Sequence, residues 1–210
     1  MKAAKYIILI VVVVAAAYNS VYFKKLDEVN ASRSAKQFNA AAYAQTFWTA
    51  KLIPNLDKAI DITQLTTMLS TNAPKTFDTY SHALGIGNLR YFLVKGKGTI
   101  ASVNEDDVSI LLQLDTSRQI LTLATEYIFG NAIRDATGLI NVNDFTNTMD
   151  FNNVSAELNK IIREKVLPPF KQQTKKGDKV EFTGAIELNK EHLDISKIEV
   201  IPVRIMSNKQ

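Results

Sequence analysis

The 210-residue sequence contains no cysteine and only two histidines, His82 and His192. The absence of cysteine excludes disulfide bonds, thiolate metal sites, cysteine nucleophiles and a lipid attached through a thiol. The two histidines are far apart in the sequence, so they do not form the closely spaced pair with which one helix binds zinc. We therefore expect no metal and no cofactor.

The motifs of common enzymes are missing as well. The sequence has no Gly-x-Ser-x-Gly elbow and no motif typical of a paired-carboxylate site. Residues 96–101 have the letters of a dinucleotide fingerprint, but they lead into a β-branched strand instead of opening a helix. Residues 141–150 are rich in Asn and Asp but lack the glycine and the final acid of a calcium loop. The sequence thus predicts no catalytic residues and a chain that is not an enzyme.

A long apolar run at the start is the strongest positive feature. Lys2 and Lys5 precede an unbroken apolar block from Tyr6 to Ala17, and residues 18–23 add three aromatic rings and a valine around Asn19 and Ser20. As a helix, Tyr6–Phe23 would span about 27 Å, close to the hydrocarbon thickness of a bilayer. We interpret this segment as a membrane anchor, with a signal peptide cleaved after Ala17 as the alternative. Both interpretations place the rest of the chain outside the cytoplasm.

The overall charge does not indicate a nucleic-acid partner. The net charge is +4, with 46% apolar and 22% charged residues, as in ordinary globular proteins. Residues 160–179 carry seven basic and two acidic side chains, but Phe170 is their single aromatic. A groove for single-stranded nucleic acid needs several interleaved aromatics. We expect a solvated helix face here.

After the anchor, apolar side chains at three- and four-residue spacing predict helices. The first of these ends at Pro54, and Asp61 with Gln64 resembles a capping box that opens the second. Pro74 suits the first turn of the third. The predicted helices cover residues 30–52, 61–69 and 74–84.

From residue 88 the pattern changes to the two-residue alternation of strands. The first predicted strand covers 89–94 and 99–103, with an interruption at Gly96–Gly98, and the others are 108–114, 119–127, 179–188 and 198–205. A helix over 154–166 lies between the two strand groups, with N-cap chemistry at Asn152 and Asn153 and an end at Pro168. Three strands, a helix and two strands is the order of an OB-type barrel.

The predicted fold class is therefore α+β, in three segments. They are an N-terminal membrane helix over 1–23, an α-helical leader over 24–87, and an OB-like five-stranded β-barrel over 88–210 with a helix between its third and fourth strands. A generic α+β sheet packed on helices is the alternative.

One polar region between the third and fourth strands is unusual. Arg134 and Asp135 are adjacent opposite charges among apolar residues, at a predicted strand-to-loop junction. An arginine there can bind a carboxylate, a phosphate or a sugar hydroxyl. The structural alternative is that each charge pairs with a separate partner inside the fold. With Asn131, Asp144 and Asn147, these residues form the predicted ligand- or partner-binding site.

Several segments resemble a bacterial family of predicted periplasmic lipoproteins of unknown function. They are Trp48 with Pro54, His82–Gly87, Lys95–Gly98, Ala132–Ala136 and Asp144–Asn147, and the likeness covers most of the chain after the anchor. The resemblance implies a cell-envelope location. Because members of this family are often described beside sugar ABC-transporter components, it also implies an accessory role in carbohydrate uptake. This chain has no lipobox cysteine, so its helix would have to attach it to the membrane.

We therefore predict a periplasmic binding or interaction module that crosses the bacterial inner membrane once, through Tyr6–Phe23. Its barrel and the loop around Arg134 would contact a saccharide or a sugar ABC-transporter component. The alternative is an envelope hydrolase whose site is assembled from scattered acidic residues. A nucleic-acid binder on the same barrel is the third hypothesis, and we expect no nucleic acid as partner.

Overall fold

The computed structural model describes residues 11, 13, 16, 18, 25, 38–85, 87–113 and 118–208. Residues 1–38 and residues 39–210 are two compact units. Of the predicted membrane span Tyr6–Phe23, residues 11, 13, 16 and 18 have helical backbone, and the rest lies outside the described residues. Within the described part of the chain, no helix has both the length and the apolar character needed to span a bilayer.

Helices form the first part of the unit 39–210 and the link between its two groups of strands. Two π turns, Trp48–Leu52 and Ile162–Val166, and two 3-10 turns, Leu56–Lys58 and Val142–Asp144, accompany them. The α-helices are α1 (Ala40–Phe47), α2 (Ile53–Asn55), α3 (Ile62–Tyr80), α4 (Ala132–Asp135), α5 (Thr148–Ile161) and α6 (Leu167–Gln173).

Each π turn lies directly before a helix that contains proline. Proline lacks an N–H donor, and in an α-helix its ring clashes with the carbonyl group four residues earlier. A π turn, with its hydrogen bonds to the fifth residue, changes this spacing: the N–H of Ile53 donates to the Trp48 carbonyl, and that of Leu167 donates to the Ile162 carbonyl. The predictions that Pro54 and Pro168 end their helices are therefore wrong, because the chain widens for one turn and continues as helix.

Helix α3 begins where the sequence predicts. The Asp61 carboxylate accepts hydrogen bonds from two N–H groups of the first turn. The helix bends at Asn72, whose backbone is not helical (φ −152°, ψ 78°) and whose side chain caps the second half. The two helices predicted separately are thus the halves of one bent helix, which ends at Tyr80 and not at Leu84.

Five of the six described strands close into a barrel. Strand β2 pairs antiparallel with β3 and β5, β3 with β4, and β5 with β6, while β4 and β6 are parallel and β1 extends the sheet beside β2. Helices α5 and α6 lie between β4 and β5 in the chain, so the predicted OB-type barrel is confirmed. The strands are β1 (Ile60–Asp61), β2 (Leu89–Val103), β3 (Asp107–Gln113), β4 (Arg118–Ala124), β5 (Lys179–Asn189) and β6 (Glu199–Asn208).

Strand β2 runs unbroken through Gly96 and Gly98, where the sequence predicts an interruption. A Cβ atom on Gly96 would lie 2.6 Å from the Phe182 ring, and one on Gly98 would lie 2.5 Å from Ile110. These glycines are therefore places of close approach between β2 and its neighbours, and the predicted interruption is wrong. Close approach of this kind is a recognised use of glycine within a strand.

Helix α3 shares one hydrophobic core with the barrel. Its residues Ile62, Leu65, Leu69 and Phe77 belong to the same buried cluster as the inward side chains of all five barrel strands. The rings of Phe77 and Phe92 lie 5.4 Å apart at an angle of 58°. The described helices of residues 40–80 thus belong to the same compact unit as the barrel, and the division into 1–23, 24–87 and 88–210 stays a prediction.

Candidate functional site

The two charged residues of the predicted site, Arg134 and Asp135, lie in helix α4 and not at a strand-to-loop junction. Both are buried, at 2% and 6% exposure. Arg134 Nε donates to Asp135 Oδ1 at 2.7 Å, and Nη2 donates to Oδ2 at 3.0 Å. Nη1 donates to the Phe151 carbonyl oxygen at 3.2 Å and to Asn152 Oδ1 at 3.3 Å. All three guanidinium nitrogens therefore have acceptors inside the fold.

A row of aromatic rings continues from this ion pair to helix α1. The guanidinium carbon of Arg134 lies 3.5 Å from the centre of the Phe151 ring, a close cation–π contact. Phe151 meets Phe145 edge to face at 5.2 Å, and Phe145 meets Tyr43 in the same way at 5.2 Å. We call Arg134, Asp135 and Phe151 the clasp. Through the contact of Phe151 with Phe145 it connects two segments of the family resemblance, 132–136 and 144–147.

The other three predicted site residues lie on the segments that lead into helices α4 and α5, which carry the clasp. Asn147 is the N-cap of α5: its Oδ1 accepts the N–H of Asp150 at 2.8 Å, so the predicted cap at Asn152 or Asn153 is wrong. Asp144 is exposed. Burial of the Tyr43 phenol raises its pKa, and the negative charge of Asp144 raises it further. Asn131 is half-buried directly before α4. Ligand binding by these side chains and the clasp stays a prediction, and for Arg134 it would require breaking the contacts above.

A cleft of about 320 Å³ opens beside the clasp. One wall is the segment that follows α3, and the other is the segment that follows α4. We call it the His82 cleft. It is lined by His82, Ala83, Leu84, Asp135, Gly138, Ile140, Asn141 and Val142.

The position of His82 in the wall of this cleft is fixed by its backbone and by Gly138. Its N–H and carbonyl pair with those of Tyr91 on β2, at 2.8 and 2.9 Å. Gly138 has φ +64°, and a Cβ atom there would lie 2.5 Å from His82 Nδ1. Both its backbone conformation and the closeness of the imidazole favour glycine. Burial lowers the pKa of His82 from 6.5, so the imidazole is neutral at pH 7.

Tyr91 connects the clasp to the barrel. Burial raises the pKa of its phenol to about 12, with further contributions from the charge of Glu187, the charge of Asp135 and a hydrogen bond to Glu187; Arg134 acts in the opposite direction. The phenol is therefore protonated at neutral pH and donates to the Glu187 carboxylate. Tyr91 is on β2 and Glu187 is on the adjacent strand β5. The electrostatic interactions of Arg134 and Asp135 with Tyr91 therefore link helix α4 to these two strands of the barrel.

A smaller cleft of about 130 Å³ is also lined by His82, and Tyr80 and Leu93 are among its other lining residues. No pattern in the sequence assigned a role to His82 or Gly138, and the one available signal was the presence of His82–Gly87 in the family resemblance. The part of the chain that the structure describes does not bring three His, Asp or Glu side chains together as a metal site.

Comparison with known proteins supports the fold and gives the family. The crystal structure of an OB-fold protein from Thermotoga maritima is similar to this chain, with a TM-score of 0.74 and 28% sequence identity, and the match covers 82% of this chain and 100% of that one. No curated protein matches the chain. The model of a family described as predicted periplasmic lipoprotein (DUF2291) matches residues 11–206, so the chain belongs to this family, as its motifs predicted.

Proposed function

We propose that this protein is a binding module of the bacterial cell envelope whose His82 cleft takes an uncharged polar ligand, with a saccharide as the ligand class. It would be attached to the inner membrane through Tyr6–Phe23, with its body in the periplasm. The observation that carries this proposal is a cleft that is rich in hydrogen-bonding groups and has no uncompensated charge.

The charges that line the cleft are neutralised within the fold. The His82 imidazole is neutral at pH 7, and both carboxylate oxygens of Asp135 accept from Arg134. Asn141 Oδ1 accepts the N–H of Asn143, while the Asn141 amide nitrogen makes no hydrogen bond within the described residues. A charged ligand would find no counter-ion here, whereas the hydroxyl groups of a sugar would find donors and acceptors.

The size and the walls of the cleft also suit a small molecule. Its volume of about 320 Å³ lies at the lower end of small-molecule sites, which extend from about 300 to 1,000 Å³. Tyr80, which is 41% exposed, lines the smaller neighbouring cleft, which His82 also lines. Because residues 138–142 follow α4 directly, the clasp fixes the wall that they form.

Family membership supports the envelope location. The 210 residues contain no cysteine, which favours attachment through the apolar segment and not through a thiol-linked lipid. An accessory role in carbohydrate uptake by an ABC transporter is the finer part of the proposal. It is supported by the uncharged, polar lining of the cleft and by the association with sugar transporters that the family resemblance implies. That the chain is not an enzyme also stays a prediction.

Filling the cleft should weaken saccharide binding strongly without unfolding the protein. Leu84 lines the cleft and is 40% exposed, so Leu84→Trp adds volume where the core is not affected. We expect its affinity for neutral sugars such as glucose or xylose to fall by at least about tenfold relative to wild type. Titration calorimetry of the full-length protein in lipid nanodiscs measures this, because maltoside detergents themselves carry a sugar.

Ile120→Trp is the matched control for this experiment. Ile120 is a β4 residue with 54% exposure that lines none of the three clefts described for this chain. Its replacement should leave the affinity unchanged. Equal losses in both variants, or no sugar binding by the wild type, would contradict the proposed ligand class.

The proposed location has a separate test. A reporter enzyme that is active only after export, fused after residue 40, should be active in cells, because the apolar segment carries the following residues across the membrane. A cytoplasmic reporter fused at the same position should be inactive. The reverse pattern would move the body of the protein to the cytoplasm.

One observation favours the hydrolase as a second candidate. Burial, together with the charge of Asp107, raises the pKa of Glu199, and a carboxyl group of raised pKa beside a carboxylate is a typical general acid. Neither residue lines the His82 cleft or the two other clefts of the described chain. Glycoside hydrolysis that is lost in Glu199→Gln would establish this candidate in place of the binding module.

A further inference from the structure

Lysine and glycine alternate in the segment Lys95–Gly98, and none of these residues lines the His82 cleft. Gly96 and Gly98 face neighbouring side chains so closely that a Cβ atom at either would collide with them. Side chains alternate between the two faces of a strand, so Lys95 and Lys97 project from the opposite face of β2. The Lys97 side chain is 75% exposed. The glycines therefore place two lysines side by side on the outer surface of the barrel.

The strand register extends this surface across β5 and β6. Lys95 lies opposite Thr183, which in turn lies opposite Arg204, so the three form one row across three strands. In the next row, Lys97 lies opposite Glu181 and the two form an ion pair at 2.6 Å. The first row contains two cations and a hydroxyl group but no acid.

This row lines a groove of about 230 Å³. The other side of the groove is formed by the 3-10 turn Leu56–Lys58 and by β1. Three acids also line it. Glu181 is paired with Lys97, Asp61 caps α3, and Asp57 is an exposed residue whose backbone carbonyl accepts from Lys95 Nζ at 3.3 Å.

Arg204 differs from the other charges of the groove. It is half-buried, and its guanidinium makes no hydrogen bond and no ion pair with any described residue. A planar guanidinium matches the two oxygens of a carboxylate or phosphate. The hydroxyl of Thr183 and the ammonium of Lys95, in the same row, can donate to the same group.

From this arrangement we infer a second binding site, distinct from the His82 cleft. The groove binds the oxyanion of a small molecule, a carboxylate or a phosphate, through Arg204 with Thr183 and Lys95. The inference does not depend on the saccharide proposal, because the two sites share no residue and one takes an uncharged ligand whereas the other takes an anion. One is a neutral cleft, and the other is a groove with an unpaired cation.

Inorganic phosphate and acetate are the probes, each compared with sodium chloride at equal ionic strength. The full-length protein is used in maltoside micelles, because lipid headgroups carry phosphate. We expect saturable changes in the amide NMR signals of Lys95 and Thr183 at concentrations up to about 20 mM of at least one probe. Saturation by phosphate alone would identify a phosphate ligand, by acetate alone a carboxylate ligand, and by both the shared oxyanion.

Variants decide whether Arg204 is responsible. Arg204→Gln should weaken anion binding by at least about tenfold, and Arg204→Lys, which keeps the charge but not the planar fork, should retain part of it. Arg118→Gln, at an exposed arginine of β4, is the matched control and should bind as the wild type does. Unchanged binding in Arg204→Gln, equal weakening in Arg118→Gln, or no saturable effect beyond that of chloride would overturn the inference.

Discussion

Arg134→Ala is expected to lower the free energy of unfolding by about 3–5 kcal/mol. The substitution leaves the Asp135 carboxylate 6% exposed and without its ion-pair partner, and a buried unpaired charge is costly. It also removes the cation–π contact with Phe151. Urea unfolding followed by the fluorescence of Trp48, the single tryptophan and a buried residue, measures the change as a lower midpoint at constant slope.

Two controls test whether the burial of the ion pair, and not its short N–O distance, determines the loss of stability. Lys97→Ala breaks an ion pair that is shorter than that of the clasp but has side-chain exposures of 75% and 41%; it should cost only about 0–1 kcal/mol. The double variant Arg134→Ala/Asp135→Ala should lose less than the sum of its single variants, because no unpaired charge is left behind. If Arg134→Ala were as mild as Lys97→Ala while ligand binding fell, Arg134 would be the ligand fork predicted from the sequence.

Phe92→Ala should be about as damaging, with a loss of about 3–5 kcal/mol. Phe92 is fully buried on β2, and its ring lies 5.4 Å from that of Phe77 on α3. The substitution leaves a cavity between the barrel and the helix. Because both elements share this core, we expect one cooperative unfolding transition for the unit 39–210, detected equally by circular dichroism and by Trp48 fluorescence.

A double-mutant cycle tests the shared core directly. Phe77→Ala and Phe92→Ala should show a coupling energy of at least about 0.5 kcal/mol. Tyr80→Ala, on the same helix but 41% exposed, is the control and should be nearly additive with Phe92→Ala. Additive effects of Phe77 and Phe92, together with two separate transitions, would make α3 part of an independent helical leader.

The barrel could be predicted because strand periodicity reports burial directly. Residues 179–188 and 198–205 alternate between apolar and polar side chains, and both segments are strands of the closed sheet. The effect of Pro54 and Pro168 on their helices was not predictable in the same way. A proline ends a regular α-helix, but a π turn before it allows the helix to continue, and no local pattern distinguishes the two outcomes.

The candidate site illustrates a second limit. Arg134 and Asp135 are conspicuous in the sequence, but their role depends on Phe151 and Asn152, which only tertiary structure brings to them. The walls of the His82 cleft, 82–84 and 138–142, are also distant in sequence. Their contact depends on one glycine whose missing side chain makes room for an imidazole, and such complementarity has no periodic signal.

We place the binding site of this protein in the neutral cleft around His82, which the buried clasp supports. Amide NMR signals mapped during a titration with xylose or glucose test it most directly. We expect saturable changes confined to residues 82–84 and 138–142, with the signals of Lys95, Thr183 and Arg204 unchanged. Changes confined to the Lys95–Arg204 groove, or none at saturating sugar, would contradict it.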